Sequence, residues 1–101
     1  MKPVRLSPEA AEELTHVEER YQERAGLGAE FVLAVRTAAA RIAKMPRSFP
    51  LASTVTPEAD VRQCVLKRFP YSIFFIELES EIRILAIAHG RRRPGYWRSR
   101  V

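Results

Sequence analysis

The run "YSIFFIEL", residues 71–78, is apolar on both faces of an extended chain and restricts the fold more than any other stretch. A strand with one face in water alternates apolar and polar residues. A strand without that alternation, rich in β-branched and aromatic side chains, belongs in the middle of a sheet with both faces covered. Its neighbours are close at hand. "VRQCVLK" (61–67) precedes it and "IRILAIA" (82–88) follows it, across the links "RFP" and "ESE". Links this short join antiparallel strands as hairpins, so three consecutive strands are predicted, with 71–78 at the centre.

Cover for one face lies upstream. Residues 3–7, "PVRLS", read as a short strand with Val4 and Leu6 on one side. Ser7 suits an N-cap, Pro8 the first helical turn, and Glu9 the positive end of a helix over 8–25. Ala10, Leu14, Val17 and Tyr21 line one face of that helix, and Glu9, Glu12, His16, Glu19 and Glu23 the other. Gly26 and Gly28 separate it from a second helix over 28–45, in which Phe31, Val35, Ala38, Ile42 and Met45 recur at heptad spacing. Val32, Ala39 and Ala43 widen the apolar arc, and Leu33 points further round. That width reflects either alanine as a good helix former or a docking face for a partner. A short link makes the two helices an antiparallel hairpin. Residues 45–60, with three prolines, read as a loop. The order β-α-α-β-β-β gives an α+β fold of two layers. An N-terminal strand and an antiparallel helical hairpin pack with a mainly antiparallel sheet, in a single domain over 1–101. The sheet's second face then needs the C-terminal tail or a partner.

A chain of 101 residues, 47% of them hydrophobic, suits one domain with a real core. No run approaches the roughly 20 apolar residues of a membrane span. The start lacks the apolar stretch of a secretory signal. A cytoplasmic protein without membrane association is expected. Cys64 is the lone cysteine and sits in an apolar run, so it reads as a small buried hydrophobe. The charge is asymmetric. Residues 1–60 carry eight Lys/Arg and nine Asp/Glu, a net of −1, whereas residues 61–101 carry nine and three, a net of +6. Such a half attracts polyanions: nucleic acid or an acidic protein segment.

Most familiar chemistry is missing from the sequence. It has no glycine-rich phosphate loop, no His/Cys/carboxylate set at metal spacing and no Ser-His-Asp set, so neither metal nor cofactor is expected. The glutamates of the first helix have the spacing of a solvated face. What remains is the ending "AHGRRRPGYWRSRV", residues 88–101, with five arginines, His89, Tyr96 and Trp97. A metal-free ribonuclease needs an acid, a base and cations for the phosphorane; His89, Tyr96 and an arginine could supply them. A plain binding tail would use the same residues. So would a tail whose Tyr96 and Trp97 fold back to cover the sheet edge with the arginines solvated. The residues alone leave all three open.

Residues 68–97, "RFPYSIFFIELESEIRILAIAHGRRRPGYW", resemble the C-terminal half of the ParE/RelE toxin superfamily, above all its ParE branch. The likeness rests on Arg68, Phe69, Pro70 and Tyr71, two apolar strands, the second ending at His89, and then Arg91, Arg92, Pro94 and Trp97. The N-terminal half fits as well, through its strand, "SPEAAEEL" and helical hairpin. The resemblance implies the toxin of a type II toxin–antitoxin pair. Its antitoxin, ParD-like or similar, would be a small DNA-binding protein with a segment that wraps the toxin in a hetero-oligomeric complex. Operator DNA would be reached only through that antitoxin. ParE-like members poison DNA gyrase and have also been labelled plasmid stabilisation proteins. RelE-like members cut mRNA in the ribosomal A site.

On this resemblance the expected target contacts are Arg62, Arg83, Arg91, Arg92, Arg93, Tyr96, Trp97 and Arg98. The expected antitoxin contacts are Val32, Leu33, Arg36, Ala39, Ala43 and Arg68. No catalytic residue is assigned in the gyrase-poisoning reading. The alternative, a ribosome-dependent endoribonuclease, would use His89, Arg92 and Tyr96. RelE-like sequences commonly have arginine after the tyrosine of the middle strand, where this chain has Ser72, and that departure weighs against the nuclease. A third reading is a non-toxic nucleic-acid-binding module. If the five tail arginines each neutralised one phosphate, its affinity for duplex DNA would fall with salt at a log–log slope of about −4.5. A flat salt response in a binding titration rules that module out.

Overall fold

The computed structural model of the chain describes residues 1–52 and 59–101. In chain order the elements are β1 (Val4–Leu6), α1 (Pro8–Ala25), α2 (Gly28–Lys44), a 3₁₀ turn (Pro46–Ser48), β2 (Arg62–Val65), β3 (Tyr71–Glu77), β4 (Ile82–His89) and a second 3₁₀ turn (Arg98–Arg100). The strands form one mixed sheet in the order β1-β4-β3-β2. β3 lies antiparallel to both its sequence neighbours, and β1 runs parallel to β4. The expected α+β architecture is therefore present. Part of the expected loop over 45–60, residues 53–58, lies outside the described residues.

Local chemistry sets the helix ends. Ser7 is the N-cap of α1, its Oγ accepting the Ala10 N–H at 3.1 Å, and Pro8 occupies the first turn. At the other end Gly26 takes φ 67°, and the Gly26 and Leu27 N–H groups bond back to Gln22 and Tyr21 carbonyls. Gly28 then opens α2 where the helices cross most closely. A Cβ there would lie 2.9 Å from the Glu18 carbonyl oxygen.

The sheet is covered on both sides. Phe31, Val35, Ala38 and Ile42 of α2, with Ala10 and Val17 of α1, pack on Cys64, Ile73, Phe75, Ile82, Ile84 and Ile87. Tyr21, Phe31, Phe69 and Tyr71 make a cluster of stacked and edge-on rings, with centroids 5.0–6.3 Å apart. Met45, placed by its spacing on the same face of α2, is 60% exposed. It is the C-cap, where the chain leaves the helix direction. On the second face Ala52, Val61, Ile76, Leu85 and Ala86 pack around Trp97, which the tail folds back and which is only 1% exposed.

An irregularity in β4 serves this second layer. Phe74 pairs with Ala86 and Phe75 with Ile84, so Leu85 is an extra residue in the ladder. Such a bulge lets two consecutive side chains, Leu85 and Ala86, turn toward the tail. Trp97→Ala would empty the centre of that layer and is expected to cost about 3–5 kcal/mol in urea unfolding. A loss under about 1 kcal/mol would mean the tail is not a core layer.

Candidate functional site

β1 is only three residues long, and its pairing with β4 ends when the Ser7 N–H reaches the Ile84 carbonyl at 2.9 Å. Beyond that point the outer edge of β4 has no strand beside it among the described residues, and unpaired backbone groups inside a fold are costly. Side chains fill the gap. Glu13 Oε1 accepts the Ile87 N–H at 3.1 Å. The Leu85 carbonyl accepts from Arg100 Nη1 at 3.0 Å and from Ser7 Oγ at 3.3 Å. Arg100 also grips Glu13 through both carboxylate oxygens, at 2.9 and 3.2 Å. The Tyr96 hydroxyl donates to Glu13 Oε2 at 2.7 Å. One carboxylate on α1 thus joins the edge of β4 to two residues of the tail.

Between His89 and this clamp the chain makes tight turns. The Gly90 N–H bonds to the Pro70 carbonyl, Arg92 N–H to the His89 carbonyl, and Arg98 N–H to the carbonyl of Gly95, which has φ 75°. The Arg91 N–H donates to His89 Nδ1 at 3.0 Å. Trp97 lies against Phe74 with ring centroids 5.2 Å apart. The Arg92 guanidinium sits over the Tyr96 ring at 4.0 Å. Arg91, Arg92, Arg93 and Arg98 are exposed and form no ion pair among the described residues.

The expected target-contact residues therefore divide. Arg91, Arg92, Arg93, Tyr96 and Arg98 come together in the tail. Trp97 does not present a contact surface, because it is buried against the sheet. Arg62 is on the face opposite the tail. Alternation along β2 sends it with Cys64 to the helix side, where its Nη1 donates to the Phe49 carbonyl at 2.7 Å. Arg83 stands on β4 beside Arg5 of β1 and pairs with Glu81 at 3.2 Å.

The expected antitoxin contacts also divide, because α2 buries its middle stripe. Val32, Arg36, Ala39 and Ala43 lie along one flank, and Ala39 and Ala43 border a shallow groove beside Met1–Val4. Leu33, 63% exposed, and Arg68 border a different cleft of about 270 Å³ between α2 and the β2–β3 turn. Glu30, Arg41, Leu66 and Lys67 complete it. The buried Glu30 Oε2 has no hydrogen-bond partner among the described residues.

The ribonuclease candidates meet only in part. His89 and Arg92 border a common pocket with Tyr96. The Tyr96 hydroxyl, however, is tied to Glu13. Burial first, then the hydrogen bond and charge of Glu13, holds this phenol far above its ordinary range. A phenol so held is a poor base. Sequence reading missed Glu13, yet a signal was present: it falls three residues after Ala10 and four before Val17, on the core-facing side of α1. Nothing local marks Arg100 among the five tail arginines. No group of three or more His, Cys, Asp or Glu suited to a metal occurs among the described residues, and none of their helices is long and apolar enough to cross a membrane.

Comparison with known proteins places this geometry. The family model for the ParE toxin of type II toxin–antitoxin systems, parDE, matches residues 4–94. The match includes Glu13 and stops before Tyr96, Trp97 and Arg100. Among solved structures, a chain from the chromosomal ParDE system of P. aeruginosa is similar in fold, with a TM-score of 0.64 and 23% identity over 88% of this chain and 96% of that one. No curated protein matches.

The clamp gives Tyr96 a distinctive titration. The folded state holds its proton more tightly than the unfolded state, so this contribution to stability is intact below about pH 10 and lost as pH rises through the folded value. The phenolate absorbance difference between wild type and Tyr96→Phe is expected only well above pH 10. In Glu13→Gln it should move down toward that value.

Proposed function

This chain belongs to the ParE toxin family of type II toxin–antitoxin systems, and on that premise we propose that it arrests growth in the cytoplasm by binding and poisoning DNA gyrase. A cognate antitoxin neutralises it by direct contact. The observation that carries the reading is the clamped tail, which displays Arg91, Arg92, Arg93 and Arg98, without carboxylate partners among the described residues, on the side of the sheet away from the helices. A rigid display of cations suits a protein–DNA target, since the ordering entropy is met in folding rather than on binding. Tethering of the Tyr96 hydroxyl to Glu13 removes one candidate from ribonuclease chemistry, so binding without cleavage is the better-supported action.

The antitoxin occupies the helix side in this reading. The cleft beside Leu33 combines apolar walls with Arg41, Lys67 and Arg68 at its rim, a fit for an apolar anchor flanked by acidic side chains. Antitoxin-binding and target-binding surfaces then lie on opposite sides of the sheet, and the antitoxin acts by wrapping or by holding the toxin away from its target. Operator DNA is contacted through the antitoxin.

Expression of the chain without antitoxin is expected to give filamentation and an SOS response while mRNA stays intact. Codon-phased mRNA cuts during translation would instead identify a RelE-like endoribonuclease. Leu33→Asp leaves the core untouched and is expected to weaken antitoxin binding at least about tenfold, or 1.4 kcal/mol, in a direct titration. Toxicity of that variant should persist, and antitoxin should no longer rescue growth.

A further inference from the structure

The cleft between α2 and the β2–β3 turn holds an acceptor that no described residue uses. Glu30 is half-buried in its wall, and Oε2 is shielded from solvent with no hydrogen-bond partner among the described residues. Among those residues it is the one buried side-chain nitrogen or oxygen left in that state. The cations around it do not pair with it. Arg41 lies over the Phe49 ring at 5.4 Å and Arg68 over the Phe69 ring at 5.3 Å. Neither they nor Lys67 form an ion pair among the described residues. Glu30 lies in the first turn of α2, where a negative charge is favoured, so helix chemistry tolerates it there.

The surroundings select the donor. Leu33, Ala34 and Leu66 give the cleft apolar walls, so the group that fills it is apolar in body. Three cations against one carboxylate leave an excess of positive charge. An occupant that brought an ammonium or guanidinium to Glu30 would meet that excess. A neutral donor avoids it: an indole N–H, a phenol or a hydroxyl on the apolar group itself. The last torsion of a glutamate is soft, so the carboxylate can turn toward such a donor as it enters. The shielded oxygen has no bond to give up within the described residues, so a new hydrogen bond to it counts in full toward binding.

We infer that Glu30 determines specificity in this cleft, and that the antitoxin segment seated there carries an apolar anchor with one neutral hydrogen-bond donor directed at the Glu30 carboxylate. The acidic side chains flanking that anchor go to Arg41, Lys67 and Arg68. A segment with a plain hydrocarbon anchor leaves the carboxylate buried and unpaired, and is rejected on that ground. This role for Glu30 rests on the assignment of the cleft to the antitoxin. Leu33→Asp tests that assignment alone and so separates the two.

The test is titration of the full chain with the antitoxin encoded beside it, together with urea unfolding of each free variant. Glu30→Met, which has no oxygen at that place, is expected to weaken binding at least about thirtyfold, the scale of a charge-assisted hydrogen bond. Glu30→Gln keeps an acceptor without the charge and should weaken binding by less than about tenfold. In the free chain Glu30→Met should be at least as stable as Glu30→Gln. Both lose the charge, and neither loses an internal bond. Wild-type affinity in Glu30→Met would overturn the role of Glu30. Equal losses in the two variants would also overturn it, by pointing to a cation on the antitoxin. So would a lower urea midpoint for Glu30→Met than for Glu30→Gln, which would put the partner of Glu30 inside the chain. If Leu33→Asp binds as tightly as wild type, the antitoxin lies elsewhere and both assignments fall. If Leu33→Asp binds weakly and Glu30→Met normally, only the role of Glu30 falls.

Discussion

The carboxylate of Glu13 closes the sheet. β1 is too short to pair the whole of β4, and the Ile87 N–H and Leu85 carbonyl face α1 with no strand among the described residues to meet them. A buried backbone group left unpaired costs about 1–3 kcal/mol. Glu13 meets the N–H directly and Arg100 meets the carbonyl, while their own charges neutralise each other at 2.9 Å. Because Arg100 comes from the chain's last residues, completing the sheet edge also fixes the tail. Tyr96, bonded to the same carboxylate, adds a second attachment. The bulge at Leu85 belongs to this arrangement, since it turns Leu85 and Ala86 onto the face that Trp97 covers.

From this clamp follows a division of labour between faces. The helical hairpin covers one side of the sheet and leaves the stripes flanking its buried residues partly exposed. The tail covers the other side with Trp97 and raises arginines above it. Both layers are packed onto β3, whose side chains are apolar in both directions. The central strand thereby links the two surfaces mechanically. The segment of 12 residues after His89 has no regular structure of its own beyond one 3₁₀ turn. Held by an ion pair, a phenol hydrogen bond and a buried indole, it becomes part of the core and presents its cations from fixed positions.

Much of this was legible in the sequence because it depends on periodicity and on short links. The run at 71–78, apolar on both faces, required cover on both. The three-residue links required hairpins, and the spacing of Phe31, Val35, Ala38 and Ile42 identified the face of α2 that is buried. Membership of the ParE toxin family agrees with the order of motifs from Arg68 to Pro94. Site residues were harder, since charge composition does not reveal which arginine faces which way. Arg62 appeared basic and available, but alternation in β2 turns it to the helix side. Trp97 appeared to be a contact residue, but its area is worth more against Phe74 and Leu85 than in water. Glu13 and Arg100 are 87 positions apart, and only the fold brings them together.

The central claim is that Glu13 and Arg100 act as one unit that holds the tail to the sheet. A double-mutant cycle measures this directly: urea unfolding of the wild type, Glu13→Gln, Arg100→Gln and the double variant. A shared unit predicts a coupling energy of about 1–3 kcal/mol, with the double variant little worse than either single one. Additive losses, with coupling within about 0.3 kcal/mol of zero, would contradict it.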